Sequence, residues 1–227
     1  MAPSDAVGHV LTRADEDLIG VLGLWSMRSA RSTPALGTDG PPPTLASRAI
    51  APETLGASLA ALLPEHAIVV DETVTTGRGF FSPTRLAAPH DWLSNMGGSI
   101  GMGMPVATGA AVACPDRKVV CLEGDGSGIY TLQASWTQAR EGLGVTTLLF
   151  SNRSYAIVRG ELADVGAGNP GRKALDMLDL GHPDLDWVGL ARSMGVPGAR
   201  VTTMEAFNDR FAQDIATPGP FLIKVVL

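Results

Sequence analysis

Lysine is scarce in this sequence, and the balance of charge is negative. Three of the 227 residues are lysine, and the 23 aspartates and glutamates outnumber the 17 lysines and arginines, so the formal net charge is −6. Proteins that bind nucleic acid or anionic membranes draw much of their affinity from clustered basic side chains. The composition therefore argues against both partners and favours a small molecule or another protein.

Cysteine and long apolar runs are also rare. The two cysteines, Cys114 and Cys121, lie in apolar surroundings without a CxxC pair, which is typical of small core residues in a reduced compartment. The most apolar early run, residues 18–25, is too short to span a bilayer, and no basic leader precedes a long apolar stretch. We therefore expect a soluble, cytoplasmic protein.

Two common nucleotide-binding motifs are missing. No Gly-Lys-Ser/Thr sequence occurs, which excludes a P-loop. The Gly-x-Gly sequences at residues 101–103 and 124–126 are followed by Val106 and Ile129, where a dinucleotide-binding fingerprint requires a third glycine. The four histidines are scattered without the spacing of metal ligands. The chemistry must therefore rest on other residues.

The length and the order of patterns predict one large domain. Residues 1–49 read as an appendage with a possible helix at 17–27 and a linker that contains Pro41-Pro42-Pro43. Residues 50–227 alternate strand and helix patterns, which predicts an α/β fold: a doubly wound, mostly parallel sheet with helices on both faces. Outside the central unit, the predicted strands are 66–70, 92–95, 199–201 and 221–226. The predicted helices are 52–63, 155–162, 186–194 and 204–215, together with an alanine-rich helix that follows Pro105 and ends at 113.

The central unit of the chain is a strand, a crossover helix and a strand between residues 118 and 154. Residues 119–122 and 145–150 are apolar runs typical of buried strands, and 130–142 carry helical spacing. Because such strands are parallel and end at one sheet edge, we expect Asp125 and Asn152 to emerge side by side. A carboxylate, an amide oxygen and a loop carbonyl suit Mg²⁺, and the N–H groups of a helix start suit an anion. The pattern indicates a metal with a diphosphate.

The sequence Gly124-Asp125-Gly126-Ser127, followed by Asn152 27 positions after the aspartate, resembles the signature of thiamine diphosphate (ThDP) enzymes. The similarity is greatest to the acetolactate synthase and benzoylformate decarboxylase group. It implies that Asp125, Asn152 and the backbone carbonyl of Ser154 hold Mg²⁺. The family usually shows two adjacent asparagines, and this chain has Ser151 at the first.

The resemblance extends to other loops at the same edge. It implies diphosphate contacts from residues 71–77, a carbonyl of Gly98 that accepts a hydrogen bond from the aminopyrimidine, and an Ile100 side chain that wedges between the two rings of the cofactor. It places Ile157 and Val158 against the substrate, and pyruvate decarboxylases carry a glutamate at the position of Val158. The cofactor-binding residues expected from it are Thr75, Thr76, Gly98, Ser99, Ile100, Gly124, Gly126, Ser127, Tyr155 and Ile157.

A second interpretation concerns Ser99. Residues 97–101 match the Gly-x-Ser-x-Gly elbow of α/β hydrolases, and His182 with Asp164, Asp176 or Asp179 would complete a triad. This alternative leaves the pairing of Asp125 with Asn152 without an explanation.

The resemblance covers residues 50–227 and corresponds to the diphosphate-binding half of a ThDP site. In the family, a glutamate on a separate pyrimidine-binding domain activates the cofactor, so the activating residue is expected on a partner chain. The implied activity is decarboxylation or carboligation of a 2-oxo acid by an assembled homo-oligomer or hetero-oligomer. The alternative is a non-catalytic ThDP-binding or truncated module.

Overall fold

The computed structural model describes residues 40–166 and 169–227. The predicted appendage helix at 17–27 and most of the expected appendage lie outside these residues. The linker prolines 41–43 have no regular secondary structure. Just after them, the Ala46 N–H donates to Ser58 Oγ and the Ala46 carbonyl accepts from Asn208 Nδ2. The chain therefore already contacts the domain before residue 50.

Six parallel strands form one sheet, as the alternating patterns predicted. They are β1 (Ile68–Asp71), β2 (Asp91–Ser94), β3 (Val119–Gly124), β4 (Val145–Ser151), β5 (Gly198–Val201) and β6 (Phe221–Val226). Their spatial order is β2-β1-β3-β4-β6-β5, and every neighbouring pair is parallel. The chain winds outward in both directions from β1 and β3, so a crevice opens at their carboxyl ends.

Nine helices connect or flank the strands in the described part of the chain. They are α1 (Pro52–Leu62), α2 (Phe81–Thr84), α3 (Gly103–Ala113), α4 (Asp125–Gly128), α5 (Ala134–Arg140), α6 (Ala156–Asp164), α7 (Arg172–Asp176), α8 (Trp187–Ser193) and α9 (Met204–Ile215), with a 3₁₀ turn at Thr76–Gly79. Local signals explain their starts: Pro52 occupies the first turn of α1, and the Thr203 hydroxyl caps α9 by accepting from Ala206 N–H.

The two faces of the sheet pack against different helices, because side chains alternate along a strand. Val69, Val120 and Leu122 pack with residues of α1 and α9 in one cluster. Val70 and Cys121 belong to a second cluster with α3 and α8. Helices therefore cover both faces, as expected for a doubly wound fold.

The crossover helix between β3 and β4 is shorter than its pattern predicted. The periodicity indicated a helix over 130–142, but α5 spans only Ala134–Arg140. Before it, the Thr131 N–H donates to the Gly128 carbonyl in a turn, and the Thr131 hydroxyl donates to the Gly101 carbonyl at 2.9 Å. A contact between residues distant in the chain thus replaces the first helical turn.

Among residues 40–166 and 169–227, no helix has the length and apolarity needed to cross a bilayer.

Candidate functional site

A cavity of about 270 Å³ lies at the carboxyl ends of β1, β3 and β4, where the order of the strands reverses. Most of the residues predicted from the sequence line it. These are Thr75, Thr76, Gly98, Ile100, Gly124, Asp125, Gly126, Ser127, Asn152, Ser154, Tyr155 and Ile157. Ser99 and Val158 do not line the cavity, although each is adjacent in the chain to a residue that does.

Asp125 is buried at the floor of this cavity with 3% of its surface exposed. Its Oδ2 atom accepts hydrogen bonds from the Ser151 hydroxyl at 3.0 Å and from the Arg153 N–H at 2.6 Å. Burial raises the pKa of the Asp125 carboxyl, and the hydrogen bonds from Arg153 and Ser151 oppose that rise. Ser151 thus orients the aspartate from the position where the resemblance leads one to expect asparagine.

The turn that follows β4 brings Asn152 and Ser154 beside Asp125. Asn152 Oδ1 accepts the Ser154 N–H at 3.0 Å, and Arg153 between them has φ of 55°. Leu178 supports the turn, because the Leu178 carbonyl accepts hydrogen bonds from the Ser154 hydroxyl and from the Tyr155 N–H. The turn therefore holds a defined shape against the aspartate.

The donor set fits Mg²⁺. A buried carboxylate beside an amide oxygen and a backbone carbonyl is the hard-oxygen environment that this ion takes, with water and phosphate completing its octahedron. Within the described ranges, no lysine, arginine or histidine forms an ion pair with Asp125. A divalent cation at this point would offset the cost of burying the carboxylate.

The segment of residues 97–103, here called the glycine segment, forms one wall of the cavity. Gly97 and Gly98 both have φ of 68°, a left-handed conformation that side chains with a Cβ rarely adopt. This conformation carries the chain from β2 to the start of α3 and places Gly98 and Ile100 at the cavity. Ile100 is 51% exposed, so its side chain stands at the open rim.

Two buried glutamates at the cavity were missed by the sequence reasoning: Glu72 lines it, and Glu123 lies beneath it. Glu72 is 1% exposed and Glu123 is fully buried. Because β1 pairs with β3 in the register Asp71 to Leu122, the two glutamates project from neighbouring positions on one face. Glu123 accepts from the Ser127 hydroxyl and from the Gly124 N–H, while its Oε2 has no hydrogen-bond partner in the described structure. The sequence signal for Glu123 was a charged residue directly after the apolar run 119–122.

Burial, together with the charge of nearby Glu72, raises the pKa of Glu123 to about 8. The folded chain thus holds a proton that the unfolded chain releases above about pH 4.3. The contribution of this proton to stability is complete below that pH and is lost as the pH rises to about 8.

We expect Glu123→Gln to remove this pH dependence, because glutamine stays neutral. In wild-type chain kept in EDTA, the Glu123 contribution should lower the free energy of unfolding between pH 5 and pH 8 by about 1.4 kcal/mol per pKa unit of difference, a few kcal/mol in total. Urea denaturation across that range should therefore show a shallower slope for Glu123→Gln than for wild type and for the exposed control Glu53→Gln. Identical slopes would contradict the assignment.

Ser99 lacks the surroundings of a hydrolase nucleophile in the described structure. Its only hydrogen bond there is from its backbone N–H to the Met96 carbonyl. His182 instead pairs through Nδ1 with Asp179 Oδ2 at 3.2 Å, and both lie beyond the turn after β4. The structure does not bring the serine and the histidine of the alternative triad into contact.

Comparison with known proteins gives one consistent family. The profile described as "Thiamine pyrophosphate enzyme, C-terminal TPP binding domain" matches residues 77–225. A Mycobacterium tuberculosis protein whose name assigns it provisionally to the acetolactate synthase large subunits is 55% identical over 168 residues, 74% of this chain and 33% of the relative. Benzoylformate decarboxylase of Pseudomonas aeruginosa is 30% identical over 192 residues, 85% of this chain and 34% of the relative.

Solved structures agree with the sequence relatives. The thiamine diphosphate-dependent 4-hydroxybenzoylformate decarboxylase of Rhodococcus jostii RHA1 matches with a TM-score of 0.70 and 32% identity, covering 83% of this chain and 34% of that one. The chain thus spans about a third of the length of the relatives it matches.

Proposed function

The chain belongs to the thiamine pyrophosphate enzymes and carries their C-terminal cofactor-binding domain, and we propose that it is the Mg²⁺- and ThDP-binding half of a 2-oxo acid decarboxylase or acetolactate synthase-like carboligase. In this proposal it acts in the cytoplasm and needs a pyrimidine-domain partner for turnover.

One observation carries the metal and cofactor assignment. Asp125 and the turn of Asn152 to Ser154 follow two neighbouring parallel strands and are joined by the 2.6 Å hydrogen bond from Arg153 N–H to Asp125 Oδ2. A buried carboxylate oriented in this way beside an amide oxygen supports a divalent cation. The cation would in turn neutralise a diphosphate bound in the same cavity.

The residues of the chain would divide the work of binding. Asp125, the Asn152 side chain and the Ser154 carbonyl would hold Mg²⁺. The N–H groups of Gly126 and Ser127 and the hydroxyls of Thr75 and Thr76 are the candidate donors to the diphosphate, with Gly124 and Tyr155 beside them. When bound, ThDP supplies a nucleophilic carbon and an electron sink, which is the chemistry that decarboxylation of a 2-oxo acid requires.

Four further residues are proposed to lie at the reacting end of the cofactor. The Gly98 carbonyl would accept a hydrogen bond from the aminopyrimidine, and Ile100 would support the bent shape of the cofactor. Ile157 lines the cavity beside them. Val158, which is 48% exposed outside the cavity, would reach substrate only across an interface with a partner.

The shape of the site supports the need for a partner. Large apolar side chains are exposed at or near its rim, namely Val74, Phe81, Met96 and Ile100. Apolar surface of this kind is usually covered by another protein surface. The names of the relatives point to 2-oxo acids such as benzoylformate as substrates.

The binding proposal predicts stabilisation that requires both ligands. In Mg²⁺ with ThDP at 100 times its dissociation constant, the free energy of unfolding should rise by about 2.7 kcal/mol. Thermal unfolding of the intact chain should show a higher midpoint with ThDP and Mg²⁺ together than with either alone. EDTA should return the midpoint to that of the free chain. A midpoint that does not respond to the combined ligands would refute the assignment.

A further inference from the structure

We propose that Glu72 is a positioning residue whose buried carboxylate holds the glycine segment in the shape that presents Gly98 and Ile100 to the pyrimidine ring. This inference rests on the function proposed above. It concerns the reacting end of the cofactor, whereas Asp125 and the turn of Asn152 to Ser154 are proposed to serve the diphosphate end.

The contacts of Glu72 lead directly to this role. Its Oε1 atom accepts the Gly101 N–H, and its Oε2 atom accepts the Gly103 N–H at 2.5 Å. Both bonds are charge-assisted and shielded from water, since Glu72 is 1% exposed. Gly103 is also the first residue of α3, so the carboxylate compensates the positive end of that helix.

A second anchor holds the other backbone polar group of the same residue. The Thr131 hydroxyl donates to the Gly101 carbonyl at 2.9 Å, and Gly101 itself has φ of 85°. Glu72 and Thr131 therefore fix Gly101 by hydrogen bonds to its N–H and to its carbonyl. Gly98 and Ile100 lie between β2 and Gly101, so their positions depend on these two bonds.

The start of α3 packs directly on the two buried acids. A Cβ atom on Gly103 would overlap Glu123 and would lie 2.9 Å from Glu72 Oε2. Only glycine therefore fits at the start of α3 this close to Glu72, and the Gly103 N–H faces the carboxylate. The two N–H groups bond to separate oxygens of Glu72, which a carboxylate offers and an amide does not.

Glu72→Gln tests this role with little change in shape. Glutamine offers one oxygen, and its NH₂ group would face a second N–H donor, so one buried bond is lost and the glycine segment must move. Leaving one buried N–H without an acceptor should weaken ThDP binding in Mg²⁺ by about tenfold or more. Inorganic pyrophosphate lacks the pyrimidine, and its candidate donors Thr75, Thr76, Gly126 and Ser127 form no hydrogen bond with the Glu72 side chain in the described structure. It should therefore bind within about twofold of wild type.

The experiment is calorimetric titration of the intact wild-type, Glu72→Gln and Glu53→Gln chains with ThDP and, separately, with pyrophosphate, both in Mg²⁺. A loss restricted to ThDP in Glu72→Gln supports the proposal. Unchanged ThDP affinity, or an equal loss for both ligands, overturns it. Failure of the wild-type chain to bind ThDP would instead count against the proposed function.

Hydrogen exchange of the free chain gives a second, ligand-independent measurement. The Gly101 and Gly103 amides should exchange slowly in wild type and in Glu53→Gln, and fast in Glu72→Gln, while the amides of β3 stay protected in all three. Faster exchange throughout β3 would mean that Glu72 only supports the fold, and would overturn the proposal. If Glu72→Gln does not fold, Glu72→Asp replaces it in both experiments: its shorter carboxylate cannot span both donors, and the same selective losses are expected.

Discussion

Asp125→Asn should abolish the stabilisation of the chain by Mg²⁺ and ThDP without unfolding it. Loss of residues that only support a metal ligand typically costs 10–100-fold in metal affinity, so neutralising the ligand itself should cost at least about 100-fold. This is the largest binding effect expected from a single substitution in the chain.

The free protein should tolerate the same substitution. The asparagine carbonyl can still accept from the Ser151 hydroxyl and the Arg153 N–H, which now bind Asp125 Oδ2. Because burial raises the pKa of Asp125, the ionised carboxylate is costly in the absence of a cation. We therefore expect the free variant to unfold at a midpoint equal to or above that of wild type.

Thermal unfolding with and without ligands tests both expectations in one series. Asp209→Asn, on the exposed face of α9, is the matched control and should respond to Mg²⁺ and ThDP like wild type. Ser151→Ala removes one of the two hydrogen-bond donors to Asp125 Oδ2. It should weaken Mg²⁺-dependent binding by about tenfold, so its stabilisation by the ligands should lie between that of wild type and that of Asp125→Asn. Full stabilisation of Asp125→Asn would show that this carboxylate does not hold the metal.

The second large effect concerns turnover: the chain by itself should release no CO2 from benzoylformate or pyruvate. Both oxygens of Glu72 are taken by backbone N–H groups, and Glu123 is fully buried beneath the cavity. Neither is placed to meet the pyrimidine from the open side of the cavity, where the activating glutamate is expected on a partner. A pyrimidine left partly in water also contributes little binding energy.

The measurement is CO2 release by the purified chain, verified as intact by mass, at saturating Mg²⁺ and ThDP. Fewer than one turnover per chain is expected, and a pyrimidine-domain polypeptide that bears a glutamate should bring turnover to many per chain. The same polypeptide with that glutamate changed to glutamine is the control. Sustained turnover by the lone chain would refute the need for a partner. If no pyrimidine-domain polypeptide brings turnover, the result would favour a non-catalytic ThDP-binding module.

Much of the fold, and the proximity of the residues proposed to hold the metal, could be read from local patterns. Apolar runs and helical periodicity predicted the strands and most helices, and the limits of α9 and β6 agree with their patterns. The placement of Asp125 beside Asn152 followed from one rule: parallel strands joined by a crossover end at the same edge. These predictions succeed because each depends on residues close in the chain or on a handedness that all chains share.

The predictions that missed depend on contacts between distant residues. Helical spacing over 130–142 did not reveal that Thr131 donates to the Gly101 carbonyl, 30 positions away, and so leaves the helix. The roles that the resemblance implies for Ser99 and Val158 stay predictions: neither residue lines the cavity, although each is next in the chain to one that does. Whether a residue beside a binding residue faces the ligand depends on the local path of the backbone.

The amino-acid pattern alone therefore determined the fold class and the proximity of Asp125 and Asn152 at one edge of the sheet. Only the folded chain decided that Glu72 supports the glycine segment, that Glu123 is buried beside it and that Ser151 orients Asp125. The two N–H groups that donate to the Glu72 carboxylate belong to residues 29 and 31 positions away in the chain. The role of a carboxylate depends on its exposure to water and on the N–H groups that reach it, and both arise when the sheet brings distant segments together.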